Sequence, residues 1–189
     1  MLHHTRFTRA SAAMLVALIA HPAATAKLPE YQQPAAVTTV SLSSSRISWT
    51  MVSNKNKTIL NVPATVPGCI HADLLAAKLI GEPNYGANQH LQQWIAEDDF
   101  NYAASPFALP ATLLAKRNVD LVLEGIDTIS AIAFNNQPVL DARNIHRTYH
   151  VDVKALVRSA GNSMTANFTG PVPGTQMNAL QNQFCVPTQ

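Results

Sequence analysis

The residues most able to do chemistry cluster between 94 and 100, where the chain reads WIAEDDF. Trp94 offers an indole on which a pyranose could stack, and Glu97, Asp98 and Asp99 offer carboxylates. Paired carboxylates cleave glycosidic bonds when held about 5–5.5 Å apart (retaining) or about 6.5–9.5 Å apart (inverting). Glu97 and Asp99 on one strand face would have Cα atoms roughly 6.6 Å apart, so spacing admits them. Context argues the other way. A productive pair flanks the scissile bond from two sides and usually comes from distant segments. Consecutive acids at a helix-to-strand junction more often form a solvated face or meet a neighbouring surface.

Other candidates are weaker. Cys69 and His71 could form a nucleophile pair or half of a metal site. Zinc needs three or four ligands, and His90, His146 and His150 show no helical pairing with them, so no metal is expected. Following Pro67-Gly68, the pair is expected to turn the chain into a helix. Around 146–150, strand alternation would put His146 and His150 on one face and Arg147 and Tyr149 on the other, an ordinary exposed strand surface. Tyr102 joins Trp94 as a possible stacking ring. No G-x-S-x-G, P-loop or dinucleotide glycine pattern occurs, and no cofactor is expected. Two sequons, Asn56-Lys57-Thr58 and Asn167-Phe168-Thr169, are candidate glycan acceptors.

The elements that would position these residues begin after a leader. Residues 1–26 run from a basic stretch with Arg6 and Arg9, through the apolar SAAMLVALIA, to small residues at Ala24 and Ala26. That order predicts a secretory signal peptide whose core is too short to span a bilayer, with cleavage expected after Ala26. Such a leader would send the chain into the secretory pathway, to an extracellular or lysosomal/vacuolar destination. It carries two of the 13 basic residues and none of the 11 acids, so the remainder is balanced. Nothing in that balance points to nucleic acid or, once the leader is cleaved, to a membrane. Two cysteines, Cys69 and Cys185, give no disulfide framework; one lies in an ordered-looking motif and the other in a ragged tail, which favours free thiols.

Residues 27–45, rich in Pro, Gln, Ser and Thr, read as a linker. From 46 to 169 the pattern is that of one domain. Ile47, Trp49 and Met51 alternate as in a half-buried strand, and TILNVPATV follows as an extended piece that Pro63 and Pro67 keep off any central position. Short helices are expected at 71–80, stopped by Gly81, and at 88–96, with Leu91, Trp94 and Ile95 on one face. Strands are expected at about 100–107, 119–124, 129–134, 137–141, 146–153 and 163–168, with Asn135-Asn136 as a hairpin turn. This predicts an all-β antiparallel sandwich with one or two short helices. From Gly170 the pattern is lost, and 170–189 is expected as an irregular tail.

Three blocks, VPGCIHADLLAAKLI, GEPNYGANQHLQQWIAEDDFNY and VDLVLEGIDTISAIAFNNQPVLDARNIHRTYHVDVKALV, together resemble the N-terminal domain of β-mannosidases, among the large glycoside hydrolases that include β-galactosidase and β-glucuronidase. The likeness runs from about Trp49 to Phe168. It implies a galactose-binding-like jelly roll, and a family activity of hydrolysing terminal non-reducing β-D-mannose from β-mannosides. It also implies that the two catalytic glutamates belong to a TIM barrel, a fold of about 250 residues, that this chain is too short to contain. No catalytic residue is therefore expected here. Glu97, Asp98 and Asp99 become scaffold or docking residues, and β-mannoside is met only through that absent domain. The family usually has an Asp and a Glu where this chain has Ala87 and Gln89, and an Arg where it has Ala103. The alternative is a free-standing secreted sandwich that binds carbohydrate or docks onto an enzyme.

Overall fold

The computed structural model describes residues 15–21, 37–56 and 58–174. Among the described residues, ten strands form two antiparallel sheets. The smaller contains β1 (Leu15–His21), β2 (Thr38–Ser41), β6 (Asn118–Glu124) and β9 (Tyr149–Asp152), in the order β2-β1-β6-β9. The larger contains β3 (Trp49–Ser53), β4 (Val62–Ala64), β5 (Phe100–Ala104), β7 (Ser130–Phe134), β8 (Gln137–Ala142) and β10 (Met164–Phe168), in the order β4-β3-β5-β10-β7-β8. The all-β sandwich expected from the strand pattern is what the chain forms. Period-two alternation builds its core: Trp49 and Met51 on β3, Phe100 and Tyr102 on β5, Val119, Leu121 and Leu123 on β6, and Ile132 and Phe134 on β7 join one buried cluster. Trp49 also ties the sheets by donating its indole N–H to the Leu42 carbonyl at 2.9 Å.

Turn chemistry follows the side chains. Asn135 and Asn136 take φ of 50° and 63°, the mirror-image turn that two-residue hairpins favour. Asn135 does more than turn. It reaches the Leu156 carbonyl at 2.7 Å and the side chain of Asn162 at 3.1 Å, and fully buried Asn162 bonds Arg158 and Phe107 in return. Pro63 sits on β4, an edge strand, where its missing N–H breaks no ladder.

Several expectations need correction. The linker assigned to 27–45 is structured from residue 38: β2 buries Val40, and Leu42 beyond it is fully buried. Its serines are absorbed into bonds, with Ser44 Oγ accepting the Val66 N–H at 2.6 Å. The helix expected at 71–80 is α1 (Ile70–Ala76), and it ends well before Gly81 because Lys78 adopts φ of 58°. The helix expected at 88–96 is two single turns, α2 (Asn88–Leu91) and α3 (Trp94–Glu97). Leu91, expected on the buried face, is 75% exposed. A further turn, α4 (Ala111–Leu114), follows Pro110, which the helix spacing did not reveal. His146 precedes β9 in a turn instead of sharing its face with His150. The compact unit also continues past 169, since 170–174 form a helical turn with Gly174 buried. Cys185 and most of the expected tail lie outside the described residues.

Candidate functional site: the acid cluster and its surroundings

The acid cluster lies where α3 passes into β5, at one end of the larger sheet. Its three carboxylates have three different surroundings. Asp98 is buried and accepts bonds from the Ser53 hydroxyl, the Lys55 N–H at 3.0 Å and the Asp99 N–H at 2.7 Å. Ser53 in turn accepts the Asn56 N–H at 2.7 Å, so Asp98 organises the loop between β3 and β4. Asp99 accepts the Gly170 N–H at 2.8 Å, and its carbonyl accepts from Asn54 at 2.9 Å. Glu97 is exposed, and its carbonyl receives the Lys55 ammonium. Gly170 has to be glycine here: a Cβ would lie 2.6 Å from the Asp98 carbonyl oxygen and 2.8 Å from that of Ala96. Two of the three acids are thus engaged in holding three chain segments together.

The aromatic candidates separate. Tyr102 is 6% exposed, packs edge-on against Phe168 at 5.7 Å, and donates to Asp73 at 3.2 Å, leaving no face for a sugar ring. Burial pushes the Asp73 carboxyl above its ordinary value, against the pull of bonds from Thr65 and Tyr102. Burial, and then the Asp73 charge, push the Tyr102 hydroxyl well above the tyrosine range. Trp94 is half-buried, tilted against Phe100 at 6.5 Å, and forms one wall of a hollow of about 200 Å³ that Leu79, Ile80, Leu91 and Gln92 complete. The two rings therefore make no coplanar exposed pair.

Cys69 stands at the start of α1 as a free cysteine, after the turn in which Gly68 approaches the Thr65 carbonyl too closely for any Cβ (2.1 Å). Among the described residues no three His, Cys, Asp or Glu side chains gather closely enough to hold a metal ion, and no helix is long and apolar enough to cross a membrane. Arg147 lies 5.4 Å over the ring of Tyr149, whose hydroxyl accepts the N–H groups of Arg143 and Asn144. That corner closes a turn. Ala87 and Gln89 are exposed, while Ala103 is paired between Thr50 and Thr165 within the larger sheet. Asn56 and Thr58 form a tight local turn, with the Thr58 hydroxyl donating to the Asn56 side chain at 2.7 Å, and Asn167 is exposed in mid-strand between β5 and β7. Buried Asn162 had no sequence signal beyond its neighbouring glycine; burial alone makes it a hub.

Residues 49–188 match the family described as glycosyl hydrolase 2 galactose-binding domain-like. Beta-mannosidase of Bos taurus is 35% identical over 113 residues, 60% of this chain and 13% of its own length. Probable beta-mannosidase of Caenorhabditis elegans is 37% identical over 127 residues, 67% of this chain and 14% of its own length. Among solved structures, beta-D-mannosidase from Dictyoglomus thermophilum superposes with a TM-score of 0.67 at 28% identity, over 72% of this chain and 16% of that one. The matched region is a small fraction of each relative. The chain belongs to the galactose-binding-like domain family of the glycosyl hydrolase 2 enzymes.

Proposed function

We propose that this chain serves a β-mannosidase-type glycoside hydrolase as its galactose-binding-like domain, the whole enzyme removing terminal non-reducing β-D-mannose from β-mannosides. The observation that carries the proposal is the engagement of Asp98 and Asp99 in backbone-holding bonds, which leaves the acid cluster a scaffold for a catalytic domain elsewhere. A chimaera tests it. Grafting residues 15–174 onto the catalytic part of a β-mannosidase should restore hydrolysis of p-nitrophenyl β-D-mannoside relative to the same enzyme without its first domain. A soluble, folded chimaera no more active than the deletion would overturn the proposal.

The order of residues 1–26 supports passage through the secretory pathway, to an extracellular or lysosomal/vacuolar destination. In that compartment Asn56, on an exposed loop, is the favoured glycan acceptor, ahead of Asn167 in its paired strand. Loss of an endoglycosidase-sensitive mass in Asn56→Gln but not in Asn167→Gln would agree; the reverse would not. A second reading, a docking module for a separate catalytic chain, is favoured by the hollow beside Trp94, whose rim exposes Leu79 at 44% and Leu91 at 75%. Calorimetry with mannose and mannobiose separates it from carbohydrate binding: docking predicts no heat.

A further inference from the structure

The segment with leader chemistry occupies an inner position of the smaller sheet. β1 runs antiparallel to both neighbours, from Leu15 opposite Glu124 to His21 opposite Asn118 on β6, and from Ala17 opposite Ser41 to Ala20 opposite Thr38 on β2. Leu18 is fully buried and joins the core cluster. Among the described residues β2 has no other strand neighbour, and β6 is flanked by β1 and β9. Taking β1 away would therefore open a slot one strand wide, with N–H and C=O groups of β2 and β6 facing it from both sides. An unpaired strand edge beside exposed apolar surface is a template for another strand.

We propose that the space between β2 and β6 is a strand-acceptor site for an extended apolar peptide segment, filled by Leu15–His21 while the N-terminal region is attached. The seated segment specifies the occupant. It is an uncharged run, LVALIAH, antiparallel to both edges, with a branched aliphatic at the Leu18 position entering the core. Ladder bonds give such a segment affinity whatever its sequence, and the core position selects apolar side chains. Leader cleavage after Ala26 is one event that would vacate the site; the site itself does not depend on it.

The full chain tests this with Leu18→Pro, because proline lacks the N–H and the backbone freedom that an inner strand needs. Hydrogen exchange is read at 38–41 and 118–124, with and without a synthetic peptide of residues 15–21. In the unaltered chain these amides should be protected and the peptide should not bind. In Leu18→Pro they should exchange about tenfold faster or more, while β3, β5 and β10 stay protected, and the peptide should bind saturably and restore protection. A peptide with proline at its Leu18 position should do neither. Unchanged exchange in Leu18→Pro would overturn the proposal, as would a folded, deprotected variant that ignores the peptide. Dimerisation without peptide uptake would also overturn it, by assigning the open edges to a second copy. If Leu18→Pro does not fold alone, refolding with the peptide must recover native circular dichroism, and failure to do so counts against the site.

Discussion

Asp98 and Asp73 show how much of a carboxylate's role lies in what it touches. Both are buried acids, and both hold backbone amides. Asp98→Ala would strand the Lys55 and Asp99 N–H groups and the Ser53 hydroxyl, and should cost about 3 kcal/mol in urea unfolding. Asp73 behaves differently with pH. Its folded pKa is raised, so between the ordinary value of 3.8 and the folded value the native state binds more protons than the unfolded chain. Stability should fall as pH rises through that window, and Asp73→Asn should flatten the slope; an unchanged slope would place the titrating group elsewhere. The sequence named WIAEDDF and argued from context that its acids were scaffold, but it could not rank them. Three consecutive acids look alike until the partners at Ser53, Lys55 and Gly170, far away in the chain, are known. Tyr102 misled as a stacking candidate for the same reason, since its partners Asp73 and Phe168 come from distant elements.

Among the elements, most strands and the first helix were legible, while the breaks between short helices were not. β5, β6, β7, β8 and β10 fell close to the expected spans because alternation survives even in five residues. The spacing of Leu91, Trp94 and Ile95 suggested one helix, yet the chain breaks at Gln92, whose amide donates to the Gly81 carbonyl at 2.8 Å. β2 was hidden because Ser and Thr dominate around Val40 and Leu42, and only burial distinguishes such a strand from a linker. The turn after β10 was hidden because its signal is a close approach: Gly170 beneath Asp98 and Ala96. Gly170→Ala should cost about 2 kcal/mol, since the obstructing atoms are backbone and cannot rotate away. A thermal midpoint equal to the parent's would show that the turn is not packed there.

For the whole molecule, the sandwich followed from strand alternation and the family from three sequence blocks in order, and the sheet topology and the relatives agree with them. What the sequence could not convey is that a run with leader chemistry, Leu15–His21, can also complete a sheet, because apolarity serves export and strand burial equally. Within the acid cluster, Asp98 and Asp99 hold backbone amides of three chain segments, which is the structural role of this stretch. Turnover of p-nitrophenyl β-D-mannoside by the purified 189-residue chain is the decisive measurement of that role. The expected p-nitrophenol release is no faster than in a mock preparation; release well above it, lost in a Glu97→Ala/Asp99→Ala double variant that still folds, would give the cluster a catalytic role.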